Sequence, residues 1–139
     1  MDRNITILIA EDDKGHFVLT RSYLRKSGID NEIIWFPDGQ QALDFFCDQH
    51  DQHQRTESRK YILLLDIRMP KIDGIELLER IRQFSNDVRN IPVVIVSTSD
   101  APRTIKRCRE LDCIAYIIKP FVRDDTLIEA VNKACLTAV

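Results

Sequence analysis

Tyr61-Ile-Leu-Leu-Leu-Asp66-Ile-Arg-Met-Pro70-Lys-Ile-Asp-Gly74 is the stretch on which the fold turns. Its first half is a short apolar run bounded by polar residues, the pattern of a strand buried on both faces. A single carboxylate, Asp66, stands where that run ends. Pro70 disfavours helix at Met69, and Gly74 falls just before the helical spacing of residues 75–84, so the chain must turn sharply between them. An acid at the carboxyl end of a central strand, followed by a tight loop, is where an open α/β sheet places its chemistry. A surface turn that happens to begin with Asp would look the same in isolation, so the flanking chain has to decide.

Upstream, Thr6-Ile-Leu-Ile-Ala10 is an uninterrupted apolar strand followed at once by Glu11, Asp12 and Asp13. Residues 14–27 read as a helix with Phe17, Thr20 and Leu24 on one face, stopped by Gly28. Residues 32–36 form a second strand, less apolar at its start and so suited to a sheet edge. Asp38 is placed to cap a helix in which Ala42, Phe45 and Phe46 recur at three and four. Residues 48–60 contain no apolar side chain, which predicts a polar, mobile loop. His50 and His53, with Asp48 and Asp51, have metal-clip spacing only if that stretch is helical, and a solvated loop is the preferred reading.

Downstream of Asp66, Leu77, Leu78, Ile81 and Phe84 line one helix face. Pro92 leads into Val93-Val-Ile-Val96, which ends in Ser97-Thr98-Ser99. Pro102 suits the first turn of a short helix to about residue 111, residues 114–118 form a fifth strand ending at Lys119-Pro120, and residues 123–137 read as the last helix. Strands alternate with helices throughout and no hairpin signal occurs. This predicts an α/β fold: one doubly wound, five-stranded parallel sheet, flavodoxin-like, with the most apolar strands central and the order 2-1-3-4-5.

The 139 residues, 44% hydrophobic and 30% charged, predict a single domain over 1–139 with no output domain. The net charge of −2 offers no electrostatic footprint for nucleic acid, and no apolar run is long enough for a membrane span. Without an export signal, the expected location is cytoplasmic, with the four cysteines (Cys47, Cys108, Cys113, Cys135) reduced and buried.

In such a sheet the carboxyl ends of all strands share one rim. Glu11 and Asp12, then Asp66, then Ser97 and Lys119 are therefore expected to converge there. Three crowded carboxylates tolerate ionisation only with a cation among them, and an all-oxygen set suits Mg2+. Lys119 and Ser97 are placed to meet phosphoryl oxygens, and Asp66 to act as an in-line nucleophile.

The motifs Leu8-Ile-Ala-Glu-Asp-Asp13, Leu64-Leu-Asp-Ile-Arg-Met-Pro-Lys-Ile-Asp-Gly74, Pro92-Val-Val-Ile-Val-Ser97 and Ile118-Lys-Pro-Phe121 resemble, in order and spacing, the receiver domain of a two-component response regulator, the CheY-like fold. The resemblance implies that Asp66 is the phosphoacceptor, that Asp12 binds the metal directly and Glu11 through water, and that the Arg68 backbone carbonyl is a further ligand. It implies that Ser97 follows the phosphoryl group, that Tyr116 is an aromatic switch, that Lys119 is the family's lysine, and that the Lys119–Pro120 peptide is cis. The implied donor is the phosphohistidine of a sensor histidine kinase, and the domain is expected to be a switch rather than an enzyme. Thr98 and Arg68 depart from the family pattern by being larger than usual. The polar insert and the Ser97-Thr98-Ser99 run resemble, more narrowly, single-domain regulators paired with phytochrome-type kinases.

The competing reading is a phosphatase or phosphotransferase with an aspartyl nucleophile. Enzymes of the haloacid dehalogenase type carry that nucleophile as DxD after the first strand, where this chain has Glu-Asp-Asp-Lys-Gly. A nucleotide or flavin binder lacks a glycine-rich loop here. His16 reads as a helix-surface residue, Trp35 as half-buried packing, and Arg103, Lys106, Arg107 and Arg109 as a solvated basic face. The apolar fifth strand at a sheet edge, with Tyr116 and Lys119 behind it and charges of both signs on its flanking helices, predicts a homodimer through the fourth helix, fifth strand and fifth helix.

Overall fold

A computed structural model describes residues 2–51, 59–85, 87–119 and 125–138; of residues 49–51 only the backbone is described. Five strands and five helices alternate: β1 (Ile5–Ala10), α1 (Lys14–Lys26), β2 (Ile33–Phe36), α2 (Gly39–Asp51), β3 (Lys60–Leu65), α3 (Gly74–Ile81), β4 (Val93–Ser97), α4 (Pro102–Glu110), β5 (Ala115–Ile118) and α5 (Thr126–Leu136). The sheet is wholly parallel, in the order β2-β1-β3-β4-β5, as expected from the graded apolarity of the strands.

The period of two along each strand divides the core in half. Leu8, Ala10, Leu63, Leu65, Val93 and Ile95 face one side, where α2, α3 and α4 bring Ala42, Phe46, Leu77, Leu78, Ile81 and Cys108. Ile5, Ile7, Ile9, Ile62, Leu64, Val94 and Val96 face the other, covered by Phe17 and Leu24 of α1 and Leu127, Val131 and Ala134 of α5. Burial on both faces is why β1, β3 and β4 read as continuous apolar runs rather than alternating ones.

The ends of the elements show local chemistry. Asp13 caps α1 by accepting from the His16 amide (2.9 Å), Asp38 accepts from Gln41 at the start of α2 (2.8 Å), and Asp73 accepts from Glu76 (2.9 Å). Gly28 ends α1 at φ 88, a left-handed conformation that glycine adopts freely. Arg82, just past α3, donates through Nε to the Leu111 carbonyl (2.9 Å) and through Nη1 to those of Arg89 (2.9 Å) and Ile91 (2.7 Å). It thereby ties the end of α3 to the approach to β4 and to the carbonyls left open at the end of α4.

Several sequence expectations need correcting. The polar segment 48–60 is not loop at its ends: α2 continues to Asp51, and Lys60 already pairs with Ile5 in the β1–β3 ladder. Helical hydrogen bonds are made by the backbone and need no apolar side chain in a final turn. Residues 52–58, His53 among them, lie outside the described residues. Helix α3 ends at Ile81 rather than 84, its last turn tightening into Gln83 N–H to Arg80 C=O and Phe84 N–H to Ile81 C=O bonds. Helix α5 is described from Thr126; Arg123 and the Lys119–Pro120 peptide fall outside. Of the cysteines only Cys108 is fully buried, and Cys47 is exposed. Among the described residues no helix is long and apolar enough to cross a membrane.

Candidate phosphoryl and metal site

The parallel register brings the strand ends level. Ala10 pairs with Leu65, Leu65 with Ile95, and Ser97 with Ile118, so the residues that follow each strand meet at one rim. Asp66 leaves β3 with its amide still bonded to the Ala10 carbonyl (3.0 Å), which seats its carboxylate beside the end of β1. The loop beyond it is compact. The Gly74 amide donates to the Ile67 carbonyl (2.7 Å), and a Cβ at Gly74 would overlap the Asp66 carbonyl, so only glycine fits there.

Glu11 and Asp66 are buried, at 4% and 8% exposure, whereas Asp12 is exposed. One carboxylate oxygen from each of the three lies within 4.8 Å of the others. Burial foremost, and then the Asp66 carboxyl, push the Glu11 carboxyl up to about 7 against the opposing pull of Lys119. Three carboxylates against one lysine ammonium leave the cluster short of positive charge, and its hard oxygen donors fit Mg2+ in number and chemistry.

Lys119 continues the sheet, its amide bonded to the Ser97 carbonyl (2.8 Å), and sends a buried side chain back to the acids. Its ammonium pairs with Glu11 Oε1 and lies 3.6 Å from Asp66 Oδ2 and 3.2 Å from His16 Nδ1. The ammonium is thus surrounded by two carboxylates and an imidazole nitrogen. The Ser97 hydroxyl is completely buried and accepts from the Ser99 amide (3.1 Å), which leaves its own proton to donate elsewhere. Tyr116, half-buried on β5, donates its hydroxyl to the Ser99 carbonyl (2.8 Å). Burial raises its phenol, opposed by the hydroxyl of Ser97. Tyr116 and Ser97 thereby share the loop after β4.

The structure therefore brings Glu11, Asp12, Asp66, Ser97 and Lys119 to one rim and links Tyr116 to it through residue 99. Arg68 and Thr98 are exposed on the loops after β3 and β4. Two residues assigned to bland roles from sequence belong here. His16 lies against Lys119, a placement that the Asp13 cap already implies, because the first turn of α1 must start on the rim. Trp35 donates its indole N–H to the Glu11 carbonyl (2.7 Å), which its position one residue from the end of β2 allows but does not require.

Residues 7–132 match the family described as the response regulator receiver domain. The chain is 35% identical over 113 residues to response regulator Rcp1 of Synechocystis sp., covering 81% of this chain and 75% of that one. The crystal structure of the Mn2+-bound form of Rcp1 aligns with a TM-score of 0.71 and 31% identity over 91% of this chain and 89% of that one. A response regulator receiver domain from Rhodospirillum rubrum gives a TM-score of 0.77 at 33% identity, covering 94% and 92% of the two chains. The bacteriophytochrome response regulator RtBRR gives 0.76 at 36% identity, covering 93% and 76%.

Proposed function

The chain belongs to the response regulator receiver domain family, and from that premise we propose that Asp66 accepts a phosphoryl group from the phosphohistidine of a sensor histidine kinase. The observation that carries the reading is the meeting of Glu11, Asp12 and Asp66 oxygens within 4.8 Å of one another, with the Lys119 ammonium 3.6 Å from Asp66. An Asp66 carboxylate oxygen forms a bond to phosphorus as the P–N bond of the phosphohistidine breaks, the electron pair leaving on the imidazole nitrogen. Water later attacks the same phosphorus, releasing inorganic phosphate and restoring the carboxylate. Asp12, Asp66, Glu11 through water, and the Arg68 carbonyl are the residues that would hold Mg2+. When bound, the ion neutralises phosphoryl and carboxylate oxygens that would otherwise repel. Lys119 meets a second phosphoryl oxygen and the Ser97 hydroxyl donates to a third. The Ser99 loop carries that change to Tyr116.

Incubation with acetyl phosphate and Mg2+ will load one phosphoryl group per chain, read by intact mass, and chelation of the metal will prevent it. Steady release of phosphate from small phosphoesters, without accumulation of the loaded form, would instead favour the aspartyl phosphatase. Similarity to Rcp1 and to a bacteriophytochrome response regulator supports a phytochrome-type kinase as donor, and hence a cytoplasmic setting. Phosphotransfer profiling against purified histidine kinases tests that pairing.

The signal leaves, on this reading, through the face of α4, β5 and α5 as a homodimer. Ile118 supports it, 45% exposed at the end of an edge strand. Beryllofluoride will shift wild type toward dimer in sedimentation, and Ile118→Lys will remain monomeric. A wild type monomeric in both states rules this face out.

A further inference from the structure

We infer that Trp35 is a positioning residue for the acid pair: its indole N–H fixes the Glu11–Asp12 peptide, and through it the direction in which Asp12 presents its carboxylate to a divalent cation. The inference rests on the reading of Glu11, Asp12 and Asp66 as the metal site.

Asp12 is the exposed member of the cluster, and among the described residues no hydrogen bond or ion pair holds its carboxylate. With no partner to hold it, only its backbone fixes the direction from which the side chain leaves the chain. On one side, the Asp13 amide is held by the Glu11 carboxylate (Oε2, 3.2 Å). On the other side stands the Glu11–Asp12 peptide, whose carbonyl accepts the Trp35 Nε1–H at 2.7 Å. The sheet ladder itself stops one peptide earlier, at the bond from the Glu11 amide to the Phe36 carbonyl (3.0 Å). Trp35 thus supplies with a side chain the bond that the ended ladder no longer provides.

The indole is itself held. Its ring stacks on Phe17 with centroids 4.5 Å apart and planes 6° from parallel, and the Arg21 guanidinium lies 5.2 Å from the Phe17 centre. Phe17 is buried on α1, the helix capped by Asp13, so the path from Glu11 through Asp12, Asp13, Phe17 and Trp35 closes on the Glu11 carbonyl. Three mutually repelling carboxylates tend to splay apart before the cation arrives. A closed path of this kind opposes that, which is the part played by groups that orient metal ligands without touching the metal.

Trp35 is the sole tryptophan of the chain, so one replacement isolates the N–H. Protein made in a tryptophan auxotroph fed β-(3-benzothienyl)alanine carries sulfur in place of Nε1–H at this position and nowhere else. Mn2+ binding, followed by electron paramagnetic resonance, is expected to weaken about ten-fold. The melting temperature of the metal-free protein is expected to fall by no more than about 4 °C, the worth of one neutral hydrogen bond in a domain of this size. With acetyl phosphate, the Mg2+ concentration for half-maximal loading will rise while the rate at saturating Mg2+ is kept. Trp35→Phe will behave alike. Affinity within two-fold of wild type overturns the inference, as does a weakening that comes with collapse of the metal-free melt, because Trp35 would then be a packing residue. Asp12→Ala separates the two readings. If it binds Mn2+ as wild type does, the metal-site reading itself has failed; if it loses binding while the sulfur analogue does not, only the role of Trp35 has.

Discussion

Asp66→Asn will abolish phosphoryl loading, lowering it by at least about 10³-fold, the order expected when a sole nucleophile is removed. The amide keeps the shape of the side chain, and the backbone N–H bonded to the Ala10 carbonyl is untouched, but the side chain has no anionic oxygen with which to attack phosphorus. The fold will not suffer. Asp66 is one of the charges that push Glu11 up, so its neutralisation relaxes the repulsion, and the metal-free variant will be as stable as wild type or more so by about 1 kcal/mol. Intact mass after acetyl phosphate, hydroxylamine sensitivity of any label and urea denaturation check the three statements. A variant that still carries a full, hydroxylamine-resistant label would place the phosphoryl group on another residue.

Lys119→Met will cost the metal-free protein about 3 kcal/mol at pH 8, within the range measured when one partner of a buried ion pair is removed. Methionine keeps the apolar stem of lysine and ends one atom short of the ammonium, so the loss isolates the charged group. The pH dependence identifies the cause. In wild type the folded-state Glu11 carboxyl titrates near 7, above its ordinary 4.5. The folded protein therefore holds a proton that the unfolded chain has released, and the stability this contributes is present below 4.5 and lost as pH rises through 7. Lys119 is the group that pulls Glu11 down, so its removal lifts that carboxyl further and carries the loss to higher pH. The deficit of the variant will be largest above pH 7 and shrink toward pH 5. Mg2+ will stabilise the variant more than wild type, because the ion supplies the missing positive charge. Urea denaturation at pH 5.5 and 8, with and without Mg2+, measures all of this. A deficit independent of pH and of Mg2+ would mean that Lys119 acts through packing alone. The variant retains Asp66 and will still load phosphate, but the response of Ser97 and Tyr116 to beryllofluoride, followed by NMR, will be lost.

What the amino-acid sequence determines by itself is the sheet and its functional rim. Residues 7–10, 62–65 and 93–96 are apolar without a break because both faces of a central parallel strand are covered, and the shorter, less deeply buried β2 and β5 stand at the edges. Once the order is fixed, a parallel sheet sends every strand's carboxyl end to one side, so Glu11, Asp12, Asp66, Ser97 and Lys119 must meet whatever their exact rotamers. Only the tertiary structure decides which atoms pair. Lys119 and Glu11 are 108 residues apart, and Trp35 reaches the Glu11 carbonyl rather than merely filling space. His16 turns to Lys119, the Ser97 hydroxyl folds back on the Ser99 amide, and α2 runs one polar turn beyond its last apolar residue. Periodicity reports which face of an element is buried, averaged over its length. It carries no term for the stagger between strands, the aim of a ring nitrogen, or a hydrogen bond made to a peptide that the ladder has left open, and those are set by contacts between residues far apart in the chain.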